Sequence, residues 1–385
     1  MKAIELFAGA GGLALGTSQA GFSHEAILEW NHDACETIRA NKKYKFDHKK
    51  PVQLFEGDIR DFTFSSLGQV DLVSGGPPCQ PFSIGGKHRG PNDQRNMFSE
   101  AVRAVRETHP KAVLIENVRG LLRPAFANFF EYVLLQLTFP EIIRQDEEDW
   151  LTHLSRLEKA KIKGENQNLS YNVVFHCLNA ADYGAPQKRH RVIIVGFRSD
   201  LNVSWSFPKP THTRESLLYS QYISGDYWDR HKVPNRLRPE IPASALGTIQ
   251  KLRTSFFGPT ELPWRTVRDA LHGLPEPTTS PSLSHANHVL NPGGKTYKGH
   301  TGSPLDEPAK ALKAGDHGVP GGENMITYPN GNVRYFTVRE SARIQTFPDD
   351  YLFEGSWTES MRQLGNAVPV CLAQSVAGSV IEKLR

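Results

Sequence analysis

Leu6-Phe7-Ala8-Gly9-Ala10-Gly11-Gly12-Leu13-Ala14 follows the apolar run Ala3–Phe7 and opens a helical pattern. Glycines between a strand and a helix permit a tight turn and let a ligand reach backbone at a helix N-terminus. The spacing Gly9-x-Gly11-x-x-Ala14 fits a loose dinucleotide fingerprint, and Glu29 ends the next strand where an acid can bond a ribose hydroxyl. A nicotinamide or flavin dinucleotide and S-adenosylmethionine all carry that ribose, so the motif alone leaves the cofactor open. Trp30 is placed to stack on a purine, and Asp58, ending a third strand, to accept from its amino group. Each also reads as a plain cap or core edge.

Outward from this loop, short apolar runs alternate with helical stretches. The expected strands are Ala3–Phe7, Ala26–Glu29, Val52–Phe55, Val70–Ser74, Ala112–Ile115, Asn172–Leu178 and Val192–Phe197, with helices such as Cys35–Asn41 and Met97–Thr108 between them. This alternation predicts an α/β fold, a doubly wound and mostly parallel Rossmann-like sheet with an antiparallel strand near one edge. A polar stretch, Gln145–Asn168, reads as a helical surface insertion. Of the 26 prolines, 15 lie between Pro208 and Pro329, where the alternation fades, and residues 205–270 hold ten Lys/Arg against six acids. Helical spacing returns at Val338–Ile344 and Val370–Leu384. The expected division is therefore 1–199, an inserted smaller domain 200–332, and 333–385 completing the first.

A chain of 385 residues with 38% hydrophobic content and net charge +4 excludes an extended disordered polymer. Apolar runs such as Tyr132–Phe139 fall short of a bilayer span, so no membrane association is expected. Four scattered cysteines (Cys35, Cys79, Cys177, Cys371) without a CxxC pair fit a reducing, cytoplasmic compartment. His285-x-x-His288 is too sparse to propose a metal.

Asp71-Leu72-Val73-Ser74-Gly75-Gly76-Pro77-Pro78-Cys79-Gln80-Pro81-Phe82-Ser83 carries the chemistry. A buried strand runs into two glycines, and two prolines then stiffen the turn that presents Cys79 beyond the strand's carboxyl end, where open α/β sheets bind ligands. The following strand ends in Glu116-Asn117-Val118; a carboxylate closing so apolar a run is partly desolvated, which raises its pKa and suits it to hold a proton. Thiol, acid and cofactor loop thus share one crevice.

These motifs resemble the C5-cytosine DNA methyltransferases. Phe7-Ala8-Gly9-Ala10-Gly11-Gly12, Gly76-Pro77-Pro78-Cys79-Gln80-Pro81-Phe82-Ser83, Glu116-Asn117-Val118, Gln187-Lys188-Arg189-His190-Arg191, Arg339-Glu340-x-Ala342-Arg343 with Phe347-Pro348-Asp349, and Gly365-Asn366-Ala367-Val368-Pro369 are similar to that family's motifs, in its order. The resemblance implies a sequence-specific DNA (cytosine-5-)-methyltransferase that uses S-adenosyl-L-methionine. Cys79 would attack C6 of a flipped cytosine, Glu116 would protonate N3, Arg191 would contact the base, and Arg189 would support the thiolate and a nearby phosphate. Phe7, Ala8, Gly9, Gly11, Gly12, Leu13, Glu29, Trp30, Asp58, Ile59, Pro78, Asn366 and Val368 would bind the cofactor.

The resemblance also implies DNA contacts from Gln80, Ser83, Lys87 and Arg89, on a loop that closes over the flipped base. The middle domain would read the sequence, with Gly315–Asn324 as a candidate reader. A monomer acting on double-stranded DNA beside a cognate restriction endonuclease is expected. Three rivals differ in class: a tRNA cytosine-5 methyltransferase of the same family, a DNA-binding regulator with a dead site, and a dinucleotide-dependent oxidoreductase. The middle domain disfavours the first, the intact Cys79, Glu116 and arginine pair the second, and the lack of a hydride-acceptor site the third.

Overall fold

The computed structural model describes residues 1–44, 46, 52–78, 97–164, 168–279, 284–296, 301–315 and 322–385. They form two compact units: Met1–Leu178 with His190–Phe207 and Ala373–Arg385, and Asn179–Arg189 with Pro208–Leu372. Residues 333–372 thus cluster with the second unit, through core side chains such as Phe336 and Ile344.

The strands, in chain order, are β1 (Lys2–Leu6), β2 (Ser23–Glu29), β3 (Gln53–Glu56), β4 (Leu72–Gly75), β5 (Ala112–Val118), β6 (Tyr171–Asn179), β7 (Gln187–Lys188) and β8 (His190–Arg198). All but β7 make one seven-stranded sheet of order β3-β2-β1-β4-β5-β8-β6. β1 lies parallel to both β2 and β4, so strand order reverses between β1 and β4 and opens a crevice at their carboxyl ends. The central strands are nearly continuous apolar runs because both faces are covered. β8 runs antiparallel to β5, as the sequence leads one to expect near that edge.

Five helices, α1 (Gly12–Gln19), α2 (His32–Ala40), α3 (Phe98–Thr108), α4 (Ala127–Thr138) and α5 (Trp150–Lys163), follow in the first unit. α5 occupies the polar insertion. Asp149 caps its start and Gly164 ends it in the left-handed conformation, while Leu154 and Leu157 join the core. The insertion is therefore surface on one side only.

The second unit holds α6 (Arg214–Tyr222), α7 (Asp226–Arg230), α8 (Leu246–Thr254), α9 (Val267–Leu271), α10 (Val338–Ile344) and α11 (Trp357–Asn366), with short strand pairs. One apolar cluster there gathers Val267, Leu312, Ile326, Phe336 and Ile344. α12 (Val370–Leu384) begins there and from Ala373 belongs to the first unit. By length and hydropathy Trp357–Leu384 passes for a membrane span, which the shorter apolar runs do not suggest, but 67% of its most apolar window is buried in protein. Ala367-Val368-Pro369 divides it into α11 and α12.

Candidate active site

The glycine loop leaves β1 through strained backbone. Phe7 has φ 55, a left-handed value that costs a side-chain-bearing residue, and Gly9 and Gly11 follow at φ 54 and 81. The strain is held by bonds to the end of β2. Ala8 N–H donates to the Leu28 carbonyl at 3.1 Å, and Gly9 N–H to Glu29 Oε2 at 2.8 Å. Glu29 Oε1 accepts from the Trp30 and Asn31 N–H groups at 3.0 and 2.8 Å. The carboxylate thus ties the glycine loop to the turn after β2, using three of its roughly four acceptor positions. A Cβ on Gly9 would meet nothing within 4 Å, and the Trp30 ring is 76% exposed. Open space above backbone, a bare indole and an acid with acceptor capacity fit an adenosine.

Asp58 is gripped by its neighbour. Its Oδ1 accepts from Arg60 N–H and Nε–H, both at 2.9 Å, and Oδ2 from Arg60 Nη2. The guanidinium and backbone bonds hold its carboxyl down to about 2, so it stays an anionic acceptor. Ile59 and Leu13 are almost wholly buried.

Glu116 and Arg191 meet across β5 and β8. Val118 pairs with Arg191 and Glu116 with Ile193, so the two side chains are diagonal neighbours. Arg191 Nε lies 2.6 Å from Glu116 Oε1, with both side chains largely buried. Burial pushes the guanidinium down from its ordinary range, and Glu116 opposes that shift. Oε2 faces the other way: a Cβ on Gly76 would come within 3.1 Å of it. A side chain at Gly76 would therefore press on the acid, which would have to give by a few tenths of an ångström. Asn117 Nδ2 donates to the Pro77 carbonyl at 3.0 Å, tying the β5 end to the turn after β4. Pro78 is exposed. Cys79, Gln80, Ser83, Lys87 and Arg89 lie outside the described residues.

The sequence reading gives Arg189 to the thiolate and a phosphate; among the described residues its side chain, 1% exposed, donates to the Leu312 and Gly365 carbonyls at 2.9 and 2.5 Å. Two residues from Arg191, it serves as an internal clamp of the second unit. Gln187 joins it, donating to Gln345 Oε1 at 3.0 Å and accepting from Leu312 N–H at 2.8 Å. A Cβ on Gly365 would strike Ala314 N at 2.2 Å, so only glycine fits there. Asn366 is exposed at the end of α11 and Val368 is buried. Asn324 is buried and clasps Lys313 backbone at 2.9 Å twice, so this end of Gly315–Asn324 is structural; residues 316–321 lie outside the described residues. His288 engages Thr337 Oγ1 and the Pro275 carbonyl through its two ring nitrogens, the bonding of a core histidine.

Sequence reasoning missed Glu5. It lies in β1, 1% exposed, accepting from the Ser74 hydroxyl, with His24 Nε2 at 3.9 Å. Burial pushes its carboxyl up to about 8; the Ser74 bond opposes this and the charge of Glu116 adds to it. An acid inside the otherwise apolar Ala3–Phe7 is the signal that could have found it.

The model of the family described as C-5 cytosine-specific DNA methylase matches residues 1–139 and 149–382. Type II methyltransferase M.NgoMIV of Neisseria gonorrhoeae is 31% identical, covering 99% of this chain and 97% of its own length. Type II methyltransferase M.PspPI of Psychrobacter sp. (strain TA137) is 34% identical over 99% of this chain and 79% of its own. The fold is similar to that of the S. pombe Dnmt2 methyltransferase (TM-score 0.56, 18% identity, 100% of this chain and 99% of that one). It is equally similar to Entamoeba histolytica methyltransferase EhMeth (TM-score 0.56, 16% identity, the same coverage).

Proposed function

Because this chain belongs to the C-5 cytosine-specific DNA methylase family and is a DNA (cytosine-5-)-methyltransferase, we propose that Cys79, Glu116 and Arg191 are the residues that act on the base. Carbon 5 of cytosine is a weak nucleophile. Bond formation between the Cys79 sulfur and C6, with a proton delivered to N3 from Glu116, turns C5 into an enamine carbon that can accept a methyl group. Loss of the C5 proton, return of the N3 proton to Glu116 and cleavage of the sulfur–C6 bond then restore the aromatic ring, the thiolate and the carboxylic acid. The target atom is stacked inside a duplex, so the cytosine must leave the helix first.

The observation that carries this reading is the Glu116–Arg191 pair at the end of β5, one oxygen held by the arginine and the other facing Gly76. Arg191 fixes the carboxylate's orientation so that it need not be found anew at each encounter. Members of this family use S-adenosylmethionine, which supplies, when bound, a methyl group on an electrophilic sulfonium. Here Glu29 and Asp58 would hold its adenosine, Trp30 would cover the purine, and Gly9 would let the ligand approach the loop; Asn366 and Val368 complete the proposed set.

We assign sequence reading to residues 200–332, with 1–199 and 333–385 catalytic. The Type II names of the relatives support a role in protecting host DNA from a cognate endonuclease, without a stable complex between the two. Labelled methyl transfer, run side by side on duplex DNA and tRNA, tests the substrate: label on tRNA alone ends the DNA reading. Cys79→Ser should abolish transfer while keeping cofactor and DNA binding, and 5-fluorocytosine DNA should trap the wild-type enzyme covalently, since fluorine blocks the last elimination. Turnover by the serine variant comparable to wild type overturns the nucleophile assignment.

A further inference from the structure

The most exposed large hydrophobic side chain among the described residues is Phe256, at 93%, and its neighbour Phe257 is 76% exposed. They follow α8, where Ser255 turns the chain extended and its hydroxyl donates to the Phe257 carbonyl at 2.7 Å. The two rings stand edge to face, centroids 5.0 Å apart at 79°, the arrangement aromatic pairs prefer. Beneath the tip, Gly258 lies against the Tyr219 ring. The pair is thus a small preformed apolar prow.

Charge gives the prow a partner. Lys251 and Arg253, in the last turn of α8, are exposed and have no acidic partner among the described residues. From Ile241 to Thr260 the chain contains no acid. Two bare phenylalanines forfeit the benefit of burial, and two uncompensated cations beside them call for an anion. A polymer with negative phosphates on its outside and flat apolar faces within satisfies both. Apolar wedges that enter base steps and bend the duplex have this composition.

We propose that the Phe256–Phe257 tip inserts at a base step of the substrate duplex, with Lys251 and Arg253 on the flanking phosphates. This rests on the reading that the chain acts on duplex DNA. The experiment compares wild type with F256A/F257A on one labelled duplex, measuring methyl transfer, binding and DNA bend by end-to-end energy transfer. The double variant should bind about 10-fold or more weakly, as loss of base–aromatic stacking does elsewhere, and should lose the bend while keeping its affinity for S-adenosylmethionine. Lys251→Gln with Arg253→Gln should lower the slope of log affinity against log salt by about 1.8, the value for two phosphates. Phe256→Trp should show emission quenched by the duplex, beyond any quenching in wild type.

Wild-type methylation of DNA together with unchanged affinity and bend in F256A/F257A overturns the wedge and leaves the DNA reading intact. Loss of self-association in that variant with unchanged DNA affinity also overturns it, and marks the tip as a contact between copies. Failure of wild type to methylate any DNA overturns the reading beneath.

Discussion

Glu5 is an acid where β1 is otherwise apolar, and its folded-state proton affinity makes a pH prediction. Its carboxyl moves from an ordinary 4.5 to about 8 on folding, so between those values the native protein holds a proton that the unfolded chain has released. The stability that Glu5 lends is complete below pH 4.5 and is lost as pH rises to about 8. The side chains that face it are Ser74, His24 and Glu116. Glu5→Gln should remove a slope of up to about 1.4 kcal/mol per pH unit in that window, read as urea midpoints at pH 5, 6.5 and 8; equal slopes in both proteins would count against it. Asp58 lies beyond β3, which ends at Glu56; Glu116 and Glu29 were legible as strand-end acids because each closes an apolar run, and strand ends line the crevice of such a sheet. Their partners were not. That Arg191 meets Glu116 while Arg189 is buried depends on which residue enters β8 and which precedes it, a boundary that spacing alone does not resolve.

The seven strands of the large sheet were legible to within three residues at either end, the central ones because a strand covered on both faces must be apolar along its length. In the second unit α10 was legible at Val338–Ile344, whereas α7 and α9, of five residues each, offer too little period to read. Between elements, the contact that matters is that of the turn after β4 with the end of β5. Gly76→Ala would place a methyl 3.1 Å from Glu116 Oε2, and the acid must yield by a few tenths of an ångström. The expected result is a kcat lowered about 10-fold or more, with affinity for S-adenosylmethionine unchanged. A turnover number equal to wild type in single-turnover assays would show that the acid tolerates the shift.

At the scale of the whole molecule, the net charge of +4 equals the excess in residues 205–270 alone, so the remainder is close to neutral. Cofactor and DNA binding should therefore separate in solution: salt should weaken DNA binding steeply and cofactor binding little. S-adenosylmethionine at a hundred times its Kd should add about 2.7 kcal/mol of stability, visible as a higher Tm. Cys79→Ser should gain as much, because the role proposed for the thiol is toward the base; a smaller gain would implicate the sulfur in cofactor binding. The chain passes four times between its two units, at 178/179, 189/190, 207/208 and 372/373. The segment Ala373–Arg385 contributes to the first unit, where Ser379 accepts from the Trp205 indole at 3.2 Å and Ile381 lies against Gly21. A ribosome releases these residues after the whole of the second unit, so the nascent polypeptide carries its catalytic motifs for most of its synthesis inside a unit that is still missing a helix.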